Sequence, residues 1–177
     1  MRRLVFLLPM VLFLVLVLYF ATALRPEYDP RSLPSAMLDK PAPAFALKGL
    51  NEGALSRETL LGRPAVINFF ASWCAPCRIE HPLLMRLSQD KRIPLYGIAY
   101  KDKPEDAARL LARSGDPYAR VGLDADGMAG LDFGVYGVPE TYVLDAAGVI
   151  RKRFVGPLTQ DKINQELLPL LKTLGGS

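Results

Sequence analysis

The chain has 177 residues, half of them apolar, with 22 Lys and Arg against 18 Asp and Glu and a net charge of +4. Setting aside Arg2 and Arg3 leaves 20 basic residues (22 − 2) against 18 acidic ones, and no basic run is interleaved with aromatics, so no nucleic-acid partner is expected. Beyond an apolar N-terminal run, about 150 residues remain, enough for one compact domain with a full core.

Leu4–Leu24 carries no charged residue, and a helix of that length would reach ~31 Å, about one bilayer core. Arg2 and Arg3 precede it, which by the positive-inside rule leaves residues 1–3 in the cytoplasm and places the rest beyond the membrane. Ala21-Thr22-Ala23 would also suit a cleavage site. The apolar run is longer than the roughly 7–15 residues of a cleaved signal, however, so an uncleaved transmembrane anchor over 4–24 is expected. Residues 25–40, with Pro26, Pro30 and Pro34 and no helical period, read as an extended tether able to span up to ~50 Å. The exported domain is then 41–177.

Within that domain Pro41–Lys48 alternates apolar residues as a short strand does, and Ser56–Gly62 suits one capped helical turn. Pro64–Ser72 is a near-continuous apolar run, the pattern of a strand covered on both faces. Ala75 to about Asp90 sets Ile79, Leu83, Leu84 and Leu87 along one stripe and predicts a helix that Pro82 should kink. Ile93–Tyr100 predicts a second buried strand. Lys103–Gly115 predicts a helix opened by Pro104, Glu105 and Asp106 and stopped by Gly115. Thr141–Asp145 and Val149–Val155 flank Ala146-Ala147-Gly148 as a hairpin, and Lys162–Leu174 predicts a closing amphipathic helix. That order describes a small α/β domain around one mixed sheet.

Both cysteines fall in Trp73-Cys74-Ala75-Pro76-Cys77-Arg78, at the junction of a buried strand and a helix. Residues three apart on one helical turn meet the Cα separation of roughly 4.4–6.8 Å that a disulfide requires. Cys74, at the helix start, faces unpaired N–H groups and the positive dipole end, which stabilise a thiolate. Cys74 is therefore expected to attack a partner's disulfide and Cys77 to resolve the mixed disulfide. An inert staple would close too short a loop to stabilise much, and one C-x-x-C with a single histidine, His81, falls short of a zinc set. His81 itself is expected on the helix surface rather than as a general base.

The segments "NFFASWCAPCRIEHP", "YGIAYKD" and "DADGMAGLDFGVYGVPETYVLD" resemble the thioredoxin-like, membrane-anchored thiol:disulfide interchange proteins of cytochrome c maturation, the CcmG/DsbE family. The resemblance extends to Leu33-Pro34-Ser35 and to the "PAPAFAL" strand. It implies a thioredoxin-like fold, a central mixed β-sheet flanked by helices, with a small insert. It further implies a reductant at the inner membrane with its catalytic domain in the periplasm. The implied electron source is a membrane thiol-disulfide electron transporter, and the implied substrate is apocytochrome c or another thiol protein of cytochrome c maturation. No cofactor and no metal is implied. Two readings compete: a general or copper-site-assembly reductase, and a non-catalytic module that holds apocytochrome or haem.

The same resemblance assigns further residues. Pro139 matches the cis-proline that faces the cysteines in thioredoxin folds, and Val138 would pair with an extended substrate. Glu80 and Glu140 match acidic positions near the active site, where a carboxylate would oppose thiolate formation or take up its proton. Asn68 departs from thioredoxin, which has a buried aspartate there; an amide cannot accept that proton, so Glu80 is expected to substitute. Trp73 and Tyr136 are candidates for the partner groove, with simple packing as the alternative for each.

Overall fold

The computed structural model describes residues 2–23, 37–51, 53–90 and 92–175, with side chains from Leu7 onward in the first stretch. The chain divides into two units, Met1–Leu33 and Pro34–Ser177. The first contains helix α1 (Arg2–Ala23), whose large apolar side chains are exposed from Leu7 to Phe20. Among the described residues no helix is long and apolar enough to cross a membrane. The uncharged run Leu4–Leu24 begins two residues into this helix and ends one residue beyond it. Most of the expected tether, 25–36, lies outside the described residues.

The second unit is built on a five-stranded sheet in the order β5-β4-β3-β6-β7. Its strands are β3 (Ala65–Phe70), β4 (Leu95–Tyr100), β5 (Arg120–Asp124), β6 (Glu140–Leu144) and β7 (Ile150–Val155). Strands β3, β4 and β5 are parallel, whereas β6 runs antiparallel to β3 and β7 antiparallel to β6. Every residue of β3 is buried, as its continuous apolar run requires of a central strand. Helices α2 (Ala75–Leu87) and α3 (Pro104–Ser114) make the parallel crossovers. Gln160–Gly175 closes the domain as a helix with one π-helical turn at Ile163–Leu167, in place of the uniform helix expected there.

The sheet has a core on each face. Val66, Phe70, Leu84, Leu111, Val143 and Leu167 belong to one, while Ile67, Phe69, Ile98, Phe133, Tyr142 and Leu144 belong to the other. Period-two alternation along β3 therefore places Asn68 on the face of Val66 and Phe70, which α2 covers.

The short strand expected within Pro41–Lys48 forms at Ala46–Lys48, whereas its partner strand at Ala54–Ser56, β5 and a short helix at Met128–Phe133 were not anticipated. An antiparallel ribbon of β1 (Ala46–Lys48) and β2 (Ala54–Ser56) lies against β5 through a Gly49–Gly122 bridge. A Cβ on Gly122 would lie 3.0 Å from Leu47, so glycine lets the ribbon approach this closely without Leu47 shifting. The insert after α3 supplies β5 and a short helix, α4 (Met128–Phe133). Phe133 anchors α4 by edge-to-face contacts with Phe69 and Tyr142 at ring separations of 5.3 Å. Asp124 accepts from the N–H groups of Ala129 and Gly130 and orders the first turn of α4; burial raises its pKa.

The chain enters the domain along the β6–β7 hairpin. Asp39 N–H donates to Ile150 O (2.8 Å), Ile150 N–H to Lys40 O (2.9 Å) and Ala42 N–H to Gly148 O (2.8 Å). Arg151 bridges Asp39 and Asp145 at 2.9 and 2.8 Å.

Candidate active site

Cys74 and Cys77 form a disulfide with Cα atoms 5.3 Å apart. Cys74 occupies the N-cap of α2 in extended conformation, and the Cys77 N–H donates to its sulfur at 3.1 Å. This sulfur is thus the one served by the helix N-terminus. The two cysteines are equally enclosed, 3 % and 4 % exposed, so electrostatics rather than access distinguishes them. The Val138–Pro139 peptide is cis, and the Val138 carbonyl oxygen lies 3.4 Å from Cys74 Sγ. Once the disulfide opens, a Cys74 thiol could donate to that oxygen.

The loop before Cys74 is held from β4. Asp102, itself buried, accepts from Ser72 N–H (2.6 Å), Ser72 Oγ (2.8 Å) and Lys103 N–H (2.9 Å). Trp73 donates its Nε1–H to Lys101 O (3.1 Å), yet its side chain stays more than half exposed beside the disulfide. Arg78 reaches back to Ser72 O.

Beneath the disulfide the inward face of α2 comprises Cys77, Glu80, His81, Leu84 and Leu87. Ile79 is exposed, contrary to the apolar stripe expected from the sequence, because two polar residues take the inward positions beside it. Nor does His81 lie on the helix surface: it is buried and bonded through Nε2 to Gly115 O at 2.9 Å. The helix passes through Pro82.

Glu80 is fully buried. Its Oε1 accepts from Asn68 Nδ2 (2.9 Å) and its Oε2 from the Leu158 N–H (2.7 Å). Burial pushes its pKa up from 4.5 to about 7, against the opposing pull of those two donors and of Lys162. A carboxyl near neutrality, one helical turn from Cys77, suits proton exchange with a thiol. Asn68 also donates to Thr141 Oγ1 (3.0 Å) and accepts from Tyr118 OH (2.8 Å).

Glu140 is equally buried but engaged differently. It accepts from Arg153 Nε (2.8 Å) and Nη2 (3.0 Å), Tyr142 OH (3.0 Å) and the Tyr136 N–H (3.0 Å). All four donors converge on the carboxylate, which pairs with Arg153 at 2.8 Å. Arg153 also donates to Gly134 O at 3.0 Å and lies 5.1 Å from the exposed Tyr136 ring. The pair therefore braces the segment that carries Tyr136, Val138 and Pro139. Arg153 was readable only with the hairpin register in hand, since β7 pairs it with Tyr142, diagonal to Glu140. Asp102 and Tyr118 gave no sequence signal beyond being single polar groups near strand ends. Among the described residues no three His, Cys, Asp or Glu side chains group as metal ligands.

This geometry, a helix-capping disulfide facing a cis-proline over a buried acid, is that of a thiol:disulfide exchange site. Residues 37–167 match the Redoxin family. The chain is 46% identical over 155 residues to the thiol:disulfide interchange protein HelX of Rhodobacter capsulatus, covering 86% of each chain. It is 42% identical to the thiol:disulfide interchange protein DsbE of Pseudomonas aeruginosa, covering 98% of this chain and 96% of that one. A Chlorobium tepidum crystal structure described as a DsbE thiol:disulfide interchange protein superposes with a TM-score of 0.66 at 31% identity, covering 76% of this chain and 99% of that one. The chain is therefore a member of the Redoxin family, a thiol:disulfide oxidoreductase of the DsbE group.

Proposed function

We propose that the protein is a periplasmic reductant of cytochrome c maturation, held at the inner membrane by its N-terminal segment. The Cys74–Cys77 disulfide at the start of α2, above the titratable Glu80, is the observation that carries this reading. The kinship with DsbE and HelX supports it, as does the uncharged run Leu4–Leu24 behind Arg2 and Arg3 for the anchor.

In the reduced protein the Cys74 thiolate attacks one sulfur of a partner's disulfide. The partner's other sulfur leaves as a thiolate and takes a proton from water. Cys77 then loses its proton to Glu80 and attacks Cys74 Sγ, releasing the partner's second sulfur. Two electrons pass to the partner, and the protein is left with the disulfide of the structure. A membrane thiol-disulfide electron transporter restores the dithiol. Pro139 and Val138 line the approach to Cys74, and exposed Trp73 and Tyr136 flank it. Glu140 acts at a remove, by holding Tyr136 through its backbone N–H.

The test is Cys77→Ser in cells, which stalls the reaction at the mixed disulfide. Capture of apocytochrome c or a maturation thiol protein on Cys74, in the membrane fraction, is expected. Capture of copper-carrier proteins alone would replace the substrate assignment, and full activity with both cysteines changed to serine would refute the redox role.

A further inference from the structure

We infer that Tyr118 is a positioning residue that locks the buried amide of Asn68 so that its nitrogen, not its oxygen, faces Glu80. This rests on the reading above, in which Glu80 exchanges a proton with the cysteine pair. The Asn68 side chain is fully enclosed and makes three hydrogen bonds: Nδ2 donates to Glu80 and Thr141, and Oδ1 accepts from Tyr118 OH. Among the described residues the Tyr118 hydroxyl has no other polar partner. Turning the amide over would set its N–H groups against that hydroxyl and leave the phenolic proton with no acceptor, a cost borne in full inside the core.

The fold makes room for this contact. Tyr118 stacks on Phe70 at 5.0 Å and 21°. Gly97, the β4 residue in register with Asn68, has no side chain where one would come within 2.9 Å of the Tyr118 ring. A larger residue at 97 would displace the ring from Asn68.

The orientation matters chemically. An N–H directed at Glu80 favours its carboxylate, whereas a carbonyl oxygen there would accept from the protonated acid and favour that form. Tyr118 thus biases Glu80 toward the state able to take a proton from Cys77. The other groups bearing on this centre are the Leu158 N–H and Lys162, which also favour the carboxylate, and Asp116, which acts on Tyr118.

Tyr118→Phe keeps the ring stack and removes only the hydroxyl. The Glu80 carboxyl, followed by carbon NMR in the oxidised protein, should titrate about half a unit to one unit higher in Y118F. In the reduced protein the Cys74 thiolate should form at lower pH, as it should in Glu80→Gln. Adding Y118F to E80Q should then move it no further, because the effect passes through Glu80. Should Y118F fail to fold, Gly97→Ala, whose Cβ would displace the Tyr118 ring from Asn68, should raise the Glu80 midpoint in the same way. An unchanged Glu80 midpoint, or an undiminished thiolate shift when Y118F is added to E80Q, overturns the lock. A thiolate titration unmoved by E80Q would instead refute the role of Glu80, while the carbon titration would still decide on Tyr118.

Discussion

Replacing Glu80 by Gln should change how the stability of the oxidised protein depends on pH. The side chain is wholly enclosed, and burial raises its pKa from 4.5 to about 7. Between those values the folded state binds a proton that the unfolded chain has released, so wild-type stability falls as pH rises. The Glu80 contribution is fully present below about pH 4.5 and lost once pH passes its folded value. Multiplying the shift from 4.5 to about 7 by ~1.36 kcal/mol per unit gives ~3 kcal/mol. Gln cannot titrate, so E80Q lacks this decline. It does present an amide to the Leu158 and Asn68 donors, which adds a constant offset. Working with the disulfide intact keeps the cysteines from titrating. Urea unfolding across this range would give stability curves for both proteins, and their difference isolates Glu80. That difference should change by ~3 kcal/mol, with wild type losing ground as pH rises. A flat difference, or one of opposite slope, would refute the assignment of a raised pKa to burial.

Arg153→Met should destabilise the domain by roughly 3–5 kcal/mol, since it leaves Glu140 buried without its counter-ion. Denaturant unfolding would read this, and adding Glu140→Gln should recover part of the loss. Asp102→Ala should cost about 1–3 kcal/mol and speed amide exchange at Ser72, whose N–H it receives at 2.6 Å. In the reduced protein Cys74 should be alkylated ahead of Cys77, as mass spectrometry of a brief labelling would reveal, because the Cys77 N–H serves the Cys74 sulfur. Equal labelling would remove the basis for their separate roles.

What could be read from the sequence followed the length and purity of each signal. The strands β3 and β4 announce themselves because burial on both faces demands uninterrupted apolar runs, and the β6–β7 hairpin because Gly148 punctuates it. The second strand of the ribbon was hidden, and the insert, implied by the resemblance, could not be divided into its elements. Strand β5 is short and interrupted by Gly122, and α4 contains Gly130 between Gly127 and Gly134, so neither has a usable period. The C-x-x-C pair carries its chemistry in its spacing. The supporting residues do not, because a buried polar side chain looks like a surface one until its partners are known. Leu84 and Leu87 were read correctly as inward, but the polar Glu80 and His81 masked the rest of that face of α2, and Ile79 was misplaced as a result. Asn68 lies within an apolar strand where its cross-strand neighbour Thr141, the distant Tyr118 and Glu80 on α2 together explain it.

The backbone bonds that tie residues 39–42 to the β6–β7 hairpin have a mechanical consequence. They clasp the ends of β6 and β7 at Leu144 and Ile150, whereas Pro139 and the start of β6 lie at the other end of the same strand. A strand of that length separates the two by roughly 17 Å. The clasp and its Arg151 bridges thus hold residues 39–42 at the opposite end of β6 from the sulfurs. A change at the clasp should therefore loosen the turn end of the hairpin before it reaches the cis-proline or the buried acid beneath the sulfurs.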